Sequence, residues 1–185
     1  MKIKGIILKS RLDFIEHTYG KGGLGKVLPY LGKTCKDLFS NPAKIRATSW
    51  YDFDLQTEMD RAICKYLGKG NKEVYRKMGE FSADFQEQKS ALSEFRGPWN
   101  FLQMHSVIFG RFFKPGRMEL VRKGPNEVHM RLHEFRSNWE NCETNLGFLS
   151  RSLETIGVKE VNVVENQCSQ DPSVPYCEYL ITWKD

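Results

Sequence analysis

The sequence predicts an α+β fold: an N-terminal helical half followed by a small antiparallel sheet of two β-hairpins flanking a helix. Three observations carry this reading. Up to about residue 113, apolar residues recur mainly at helical spacing. After Gly116 the pattern changes to alternation on both sides of Gly124-Pro125, a hairpin signal. Residues 139–156 return to helical spacing, and a second β-rich pair then brackets Cys168 and Cys177.

Taken in order, residues 3–19 combine a short apolar run, "IKGIIL", with Leu12, Phe14, Ile15 and Tyr19 at helical spacing. They predict a helix, with a strand possible at its start. Leu24, Val27, Leu28 and Leu31 predict a helical face over 24–31. The stretch "SNPAKIRATSWYDFD" is rich in turn formers and reads as a connection. Leu55, Met59, Ile63 and Leu67 predict a helix over 54–67, ended by Gly68 and Gly70. Val74, Met78, Phe81 and Phe85 predict another over 71–88, and Pro98 opens one that runs to about 113. Leu146, Leu149, Leu153 and Ile156 mark the helix over 139–156. "VKEVNVVEN" and "CEYLITW" form the second hairpin. The chain shows no repeat and no long linker, so residues 1–185 are expected to form one domain.

Bulk properties exclude little. Hydrophobic residues make up 40% and charged residues 28%, an ordinary soluble composition. The net charge of +5 tolerates an acidic partner without requiring one. No segment reaches the roughly 20 apolar residues of a membrane span. Lys9, Arg11 and Asp13 interrupt the N-terminal apolar stretch too early for a signal peptide, and a cytoplasmic protein is expected. Five cysteines in a reducing compartment favour metal over disulfide where they cluster.

"YGKGGLGKV" invites a phosphate-loop reading, since Gly20, Gly25 and Lys26 have the required spacing. The next residue is Val27 instead of Ser or Thr, and a helical pattern precedes the glycines where a strand is needed. A glycine-rich turn between two helices, with Gly20 or Gly22 as a left-handed cap, is the expected structure.

The segment "ENQCSQDPSVPYC" holds the main chemical candidates. Cys168 and Cys177 stand at the two ends of a hairpin turn, where cross-strand Cβ atoms lie about 4.5–5.5 Å apart and two thiolates can share a cation. Glu165 leads in. Strict alternation puts Glu165 and Cys168 on opposite faces, so their convergence needs a bulge or a turned strand end. Cys142 opens the helix expected to cross the sheet. Three thiolates and a carboxylate make a closed tetrahedral set suited to structural Zn²⁺. The bland alternative is a solvated Glu165 and a small buried Cys142.

The pattern Cys142, Glu165, Cys168, Cys177, followed by "EYLITW", resembles the 4-vinyl reductase-type domain, which includes the sensory modules of phenol-responsive activators. The resemblance implies that these four residues hold one Zn²⁺. Here the turn "SQDPSVPY" is slightly longer than usual and lacks glycine. The wider chain is similar to the superfamily that also holds the haem nitric-oxide sensors and a vesicle-tethering subunit fold. "IKGIILKSRLDFIEHTYG", "SWYDF" and "FFKPGRMEL" carry that likeness. It implies a hydrophobic or aromatic small molecule between the helical layer and the sheet, and a homodimer. Trp99, His105 and Phe109, on the helix opened by Pro98, are the candidate ligand-binding residues, in the right region but not matched residue by residue to the phenol sensors.

A haem alternative rests on "LQMHSVIFGRFFKP", which resembles the surroundings of the proximal haem histidine of the nitric-oxide sensors. His105 would be the axial ligand. The Tyr-x-Ser-x-Arg motif that grips the propionates in those sensors does not follow. Arg111, Lys114, Arg117, Arg122 and Lys123 form a basic run, read as a solvated face. Nothing supports nucleic-acid binding, and no nucleophile-base pair or dinucleotide fingerprint indicates an enzyme. The expected function is a non-enzymatic small-molecule-binding or sensory signalling domain with a structural zinc site. The alternatives are a haem-binding gas sensor using His105 or a protein-interaction module of the tethering type.

Overall fold

A computed structural model describes residues 1–84 and 94–184. Phe85 and the end of the helix expected over 71–88 lie outside the described residues. The chain starts with strand β1 (Lys2–Lys4) and passes directly into helix α1 (Gly5–Tyr19). Gly20, at φ 77°, ends α1 with its N–H on the Glu16 carbonyl, and α2 (Gly23–Val27) follows. The glycine-rich segment is therefore a turn between helices, without the preceding strand that a phosphate loop requires.

The next stretch corrects the sequence reading. Helix α3 (Lys33–Phe39) and strand β2 (Trp50–Asp52) both lie where no regular element, or only a connection, is expected. β2 pairs antiparallel with β1, setting Ile3 against Tyr51. A three-residue strand with Pro, Asn and Ser upstream has no pattern of its own. It exists because β1 offers a free edge.

Helix α4 (Phe53–Ala62) ends in a π turn over Ile63–Leu67, with the Gly68 N–H on the Ile63 carbonyl. Helix α5 (Glu73–Asp84) follows, and then α6 (Pro98–Ile108). The helix expected to reach residue 113 stops five residues earlier (113 − 108). Phe113 and Lys114 form β3 on the other edge of β1, completing a sheet of order β2-β1-β3. Pairing of Lys2 with Lys114 overrides the helical spacing of Phe109, Phe112 and Phe113.

The C-terminal half follows the sequence reading. Strands β4 (Arg117–Gly124) and β5 (Glu127–His133) form the first hairpin, and helix α7 (Trp139–Thr155) comes next. β6 (Lys159–Gln167) and β7 (Tyr176–Lys184) form the second hairpin. The four strands pair antiparallel in the order β4-β5-β7-β6. One sheet face carries Val128, Met130, Leu132, Cys177, Tyr179 and Ile181 in cross-strand pairs, all buried. α7 contributes Leu146, Leu149 and Leu153 to the same core. Its other side meets α5 at a crossing of two glycines. A Cβ on Gly147 would lie 2.1 Å from the Arg76 carbonyl oxygen, and one on Gly79 would lie 1.9 Å from that of Thr144. Only glycine permits this approach, which presses α7 between α5 and the sheet.

Candidate metal centre

Cys142 lies in the first turns of α7, and its position follows from the helix start. Asn138 caps the helix: its side-chain oxygen accepts from the Asn141 N–H at 2.8 Å, and its carbonyl accepts from the Cys142 N–H at 2.9 Å. A sulfur near a helix N-terminus sits in the positive end of the dipole, which favours a thiolate.

Glu165 and Cys168 approach from the end of β6. Glu165 pairs with Tyr179, whereas Gln167 pairs with Glu178, so the register shifts between them. This is the bulge that the two residues need in order to share a face. Cys177 lies on β7, paired with Leu132 and fully buried. The connecting turn closes without glycine. Asp171 Oδ1 accepts from both the N–H and the hydroxyl of Ser173, at 2.9 and 2.7 Å, and the Asp171 N–H reaches back to the Cys168 carbonyl at 3.1 Å.

The four donors converge. The sulfurs of Cys142 and Cys168 are 3.6 Å apart, those of Cys168 and Cys177 3.8 Å, and those of Cys142 and Cys177 4.0 Å. A Glu165 oxygen completes a group whose ligand atoms all lie within 4.8 Å of one another. Tetrahedral Zn–S bonds of about 2.3 Å give S–S edges of about 3.8 Å. A disulfide needs about 2.05 Å, and all three cysteines are free thiols. Glu165 Oε1 is buried and has no hydrogen-bond partner, an expensive state for a carboxylate unless a cation takes the lone pair. The donor set, its spacing and the orphaned oxygen fit a closed four-coordinate metal.

Other groups tune the sulfurs. The Ser169 N–H donates to Cys177 Sγ at 3.3 Å, and the Ser169 hydroxyl lies 3.1 Å from the same sulfur. The hydrogen bond from Cys142, followed by those from Ser169, brings the Cys177 thiol down to about 6. Donation to the other two sulfurs, with burial, pushes the Cys142 thiol up. Ser169 and Ser137 are contacts that sequence reasoning missed. A serine beside a cysteine carries no distinguishing signal, since its role depends on where the hydroxyl turns. Cys35 and Cys64 lie elsewhere in the core, their thiols on the Leu55 and Asn71 carbonyls.

The candidate ligand-binding residues all lie on α6 and the turn that follows it, each packed against different neighbours. Trp99 packs under the guanidinium of Arg122, with 5.4 Å from the guanidinium carbon to the ring centre. His105 lies between Phe101 and Phe148, with centroids at 5.7 and 5.5 Å. Its surroundings are so apolar that burial brings the imidazole down to about 4, leaving it neutral near pH 7. Phe109 stacks on Phe113 at 4.7 Å and meets Phe135 edge-on. Two surface hollows, one beside Leu12 and Leu24 and one beside Tyr30 and Tyr66, contain none of the three. The basic run Arg111, Lys114, Arg117, Arg122 and Lys123 is exposed throughout. Among the described residues, no helix is long and apolar enough to cross a membrane.

No family model and no curated protein matches the sequence. Solved structures do match. An H-NOX protein from S. oneidensis in the Fe(II)NO ligation state gives a TM-score of 0.72 at 13% identity, covering 99% of this chain and 100% of that one. An oxygen-binding H-NOX domain related to soluble guanylate cyclases gives 0.71 at 19% identity, covering 99% and 96%. The Fe(II) unliganded H-NOX protein from K. algicida gives 0.69 at 13% identity, covering 99% and 97%. At these identities the likeness is one of fold.

Proposed function

We propose that this chain is a sensory, ligand-binding domain without an enzymatic activity of its own, and that Cys142, Glu165, Cys168 and Cys177 hold a structural Zn²⁺. The sensor class is supported by the H-NOX fold neighbours. The zinc reading is carried by one observation, the three sulfurs at 3.6–4.0 Å with a buried, unpartnered carboxylate oxygen beside them. That pattern also favours the 4-vinyl reductase-type branch within the superfamily. When bound, the ion would supply no open position for chemistry. It would tie the start of α7 to the β6–β7 hairpin and so fix one wall of the space between helices and sheet. Metal analysis of the purified protein tests this: one zinc per chain is expected, and its loss in Cys168→Ser with a lower melting temperature. A wild type free of zinc overturns it.

A second reading is a haem-binding gas sensor through His105, and the fold comparisons favour it over zinc as the cofactor, since the neighbours are described with Fe(II), NO, oxygen and heme. The neutral imidazole suits an axial ligand. The other described residues do not fit. The ring packs between Phe101 and Phe148, and Tyr-x-Ser-x-Arg is missing from the sequence. A Soret band on haem addition that disappears in His105→Ala would put this reading first. The two cofactors occupy different residues, so both experiments are run on the same protein. A hydrophobic or aromatic ligand, a homodimer and a cytoplasmic location remain part of the proposal. Native mass spectrometry reads bound molecules and oligomeric state together.

A further inference from the structure

A line of buried polar side chains runs from the helical half to the metal centre. Arg11 on α1 donates to Asp60 on α4 through Nε at 2.7 Å and Nη2 at 3.2 Å. Gln56, one turn earlier on α4, donates from Nε2 to Asp60 Oδ2 at 3.2 Å and to Asn141 Oδ1 at 3.4 Å. Asn141 then donates from Nδ2 to Ser137 Oγ at 2.9 Å. Ser137 Oγ lies 3.3 Å from Cys142 Sγ. Each of these five side chains from Arg11 to Ser137 belongs to a residue at 4% exposure or less.

The line has a direction. An ionised carboxylate only accepts, so Asp60 draws the NH₂ end of Gln56 towards itself. Asn141 must then offer its oxygen to Gln56 and its NH₂ to Ser137. The serine oxygen thereby accepts, and its own proton is left to point elsewhere. Two acceptors are in reach, the Asn138 carbonyl at 3.3 Å and the Cys142 sulfur. Gln56 Oε1 records the pull of the carboxylate: it is buried and has no partner. A free amide would turn to satisfy it.

We infer that the Arg11–Asp60 ion pair, Gln56 and Asn141 polarise Ser137 so that its hydroxyl donates to the Cys142 thiolate, making these residues positioning groups for metal retention. The inference rests on the metal reading above. In the thiol state Cys142 donates to Ser137, whose proton goes to the Asn138 carbonyl. In the metal-bound state the sulfur carries no proton, and the hydroxyl rotates to donate to it. A donor to a ligating sulfur spreads its charge and holds its orientation, as outer partners of metal ligands generally do.

The experiment is zinc release from the full-length, zinc-loaded protein to a chromogenic chelator. Ser137→Ala is expected to release zinc about 10- to 100-fold faster, the usual effect of losing an outer partner. Gln56→Leu, which leaves the ion pair intact and touches no metal ligand, is expected to accelerate release in the same direction. Ser137→Thr keeps the hydroxyl and is expected to restore retention. The Gln56→Leu/Ser137→Ala double variant should be no faster than Ser137→Ala alone, because both act through one hydroxyl. Additive effects would mark independent structural damage and overturn the relay. So would Ser137→Ala or Gln56→Leu releasing zinc at the wild-type rate. A wild type that binds no zinc instead removes the metal reading, a distinct result.

Discussion

Among the described residues, the cysteine cluster and the surroundings of His105 are two candidate cofactor sites, and they are built in opposite ways. At the cluster three separate elements, α7, the end of β6 and β7, aim donors at one point and leave an oxygen unpartnered. His105, half-buried, instead packs between two phenyl rings. The sulfurs have hydrogen-bond partners, but the buried Glu165 oxygen has none, a desolvation cost that a bound cation would offset. A histidine held among aromatics satisfies its packing and signals little by itself. Convergence of donors from three separate elements is what sets the cluster apart from the surroundings of His105.

The comparison can be broken most directly at the cluster. Cys142→Ser, or exhaustive chelation of the wild type, should cost about 4 kcal/mol if free zinc stands near a thousand times its dissociation constant. That corresponds to a fall of roughly 10 °C in melting temperature, read by calorimetry. No fall, with zinc removed, would show that the ion holds nothing together.

The His105 side should respond to pH instead. Its folded value of about 4 lies below the ordinary 6.5. Between these values the unfolded chain binds a proton that the folded chain refuses, so stability falls as pH drops from 6.5 towards 4. The full effect is about 3 kcal/mol. Urea unfolding at pH 7 and pH 4.5 should show this loss in the wild type and much less of it in His105→Gln. Equal slopes in both proteins would mean that the imidazole is hydrated.

Smaller changes sharpen the contrast. Ser169→Ala removes the hydroxyl beside Cys177 but keeps the backbone N–H bond. A loss of about 1 kcal/mol is expected, measured as a small shift in the urea midpoint. Arg117→Ala breaks the exposed pair with Glu134, whose side chains are 61% and 64% exposed. Its effect should stay below about 0.5 kcal/mol, which makes it the reference for a surface change.

Legibility in the sequence followed the range of the interactions involved. The hairpin at Gly124-Pro125 and the helix over 139–156 are specified by local turn chemistry and periodicity, and both are present. β2 and β3 are short, and their conformation comes from pairing with β1, about 50 and 110 residues away in register (Lys2 with Asp52 and with Lys114). The helical spacing of Phe109, Phe112 and Phe113 misled for the same reason. At the candidate site, Cys142, Glu165, Cys168 and Cys177 could be nominated by residue type and spacing. The relay through Gln56 and Asn141 could not, because amides on two distant helices carry no pattern.

By itself the sequence determined the α+β order, the caps and turns, and which side chains had the chemistry to ligate a metal, all properties set by neighbours within a few residues. Only the tertiary structure decided that β6 bulges between Glu165 and Gln167 and that Gly79 and Gly147 let α5 and α7 touch. It also decided that the sulfurs meet at tetrahedral spacing, and which side chains pack against Trp99, His105 and Phe109. Those outcomes depend on which surfaces pack against which, and packing is decided by the whole core at once.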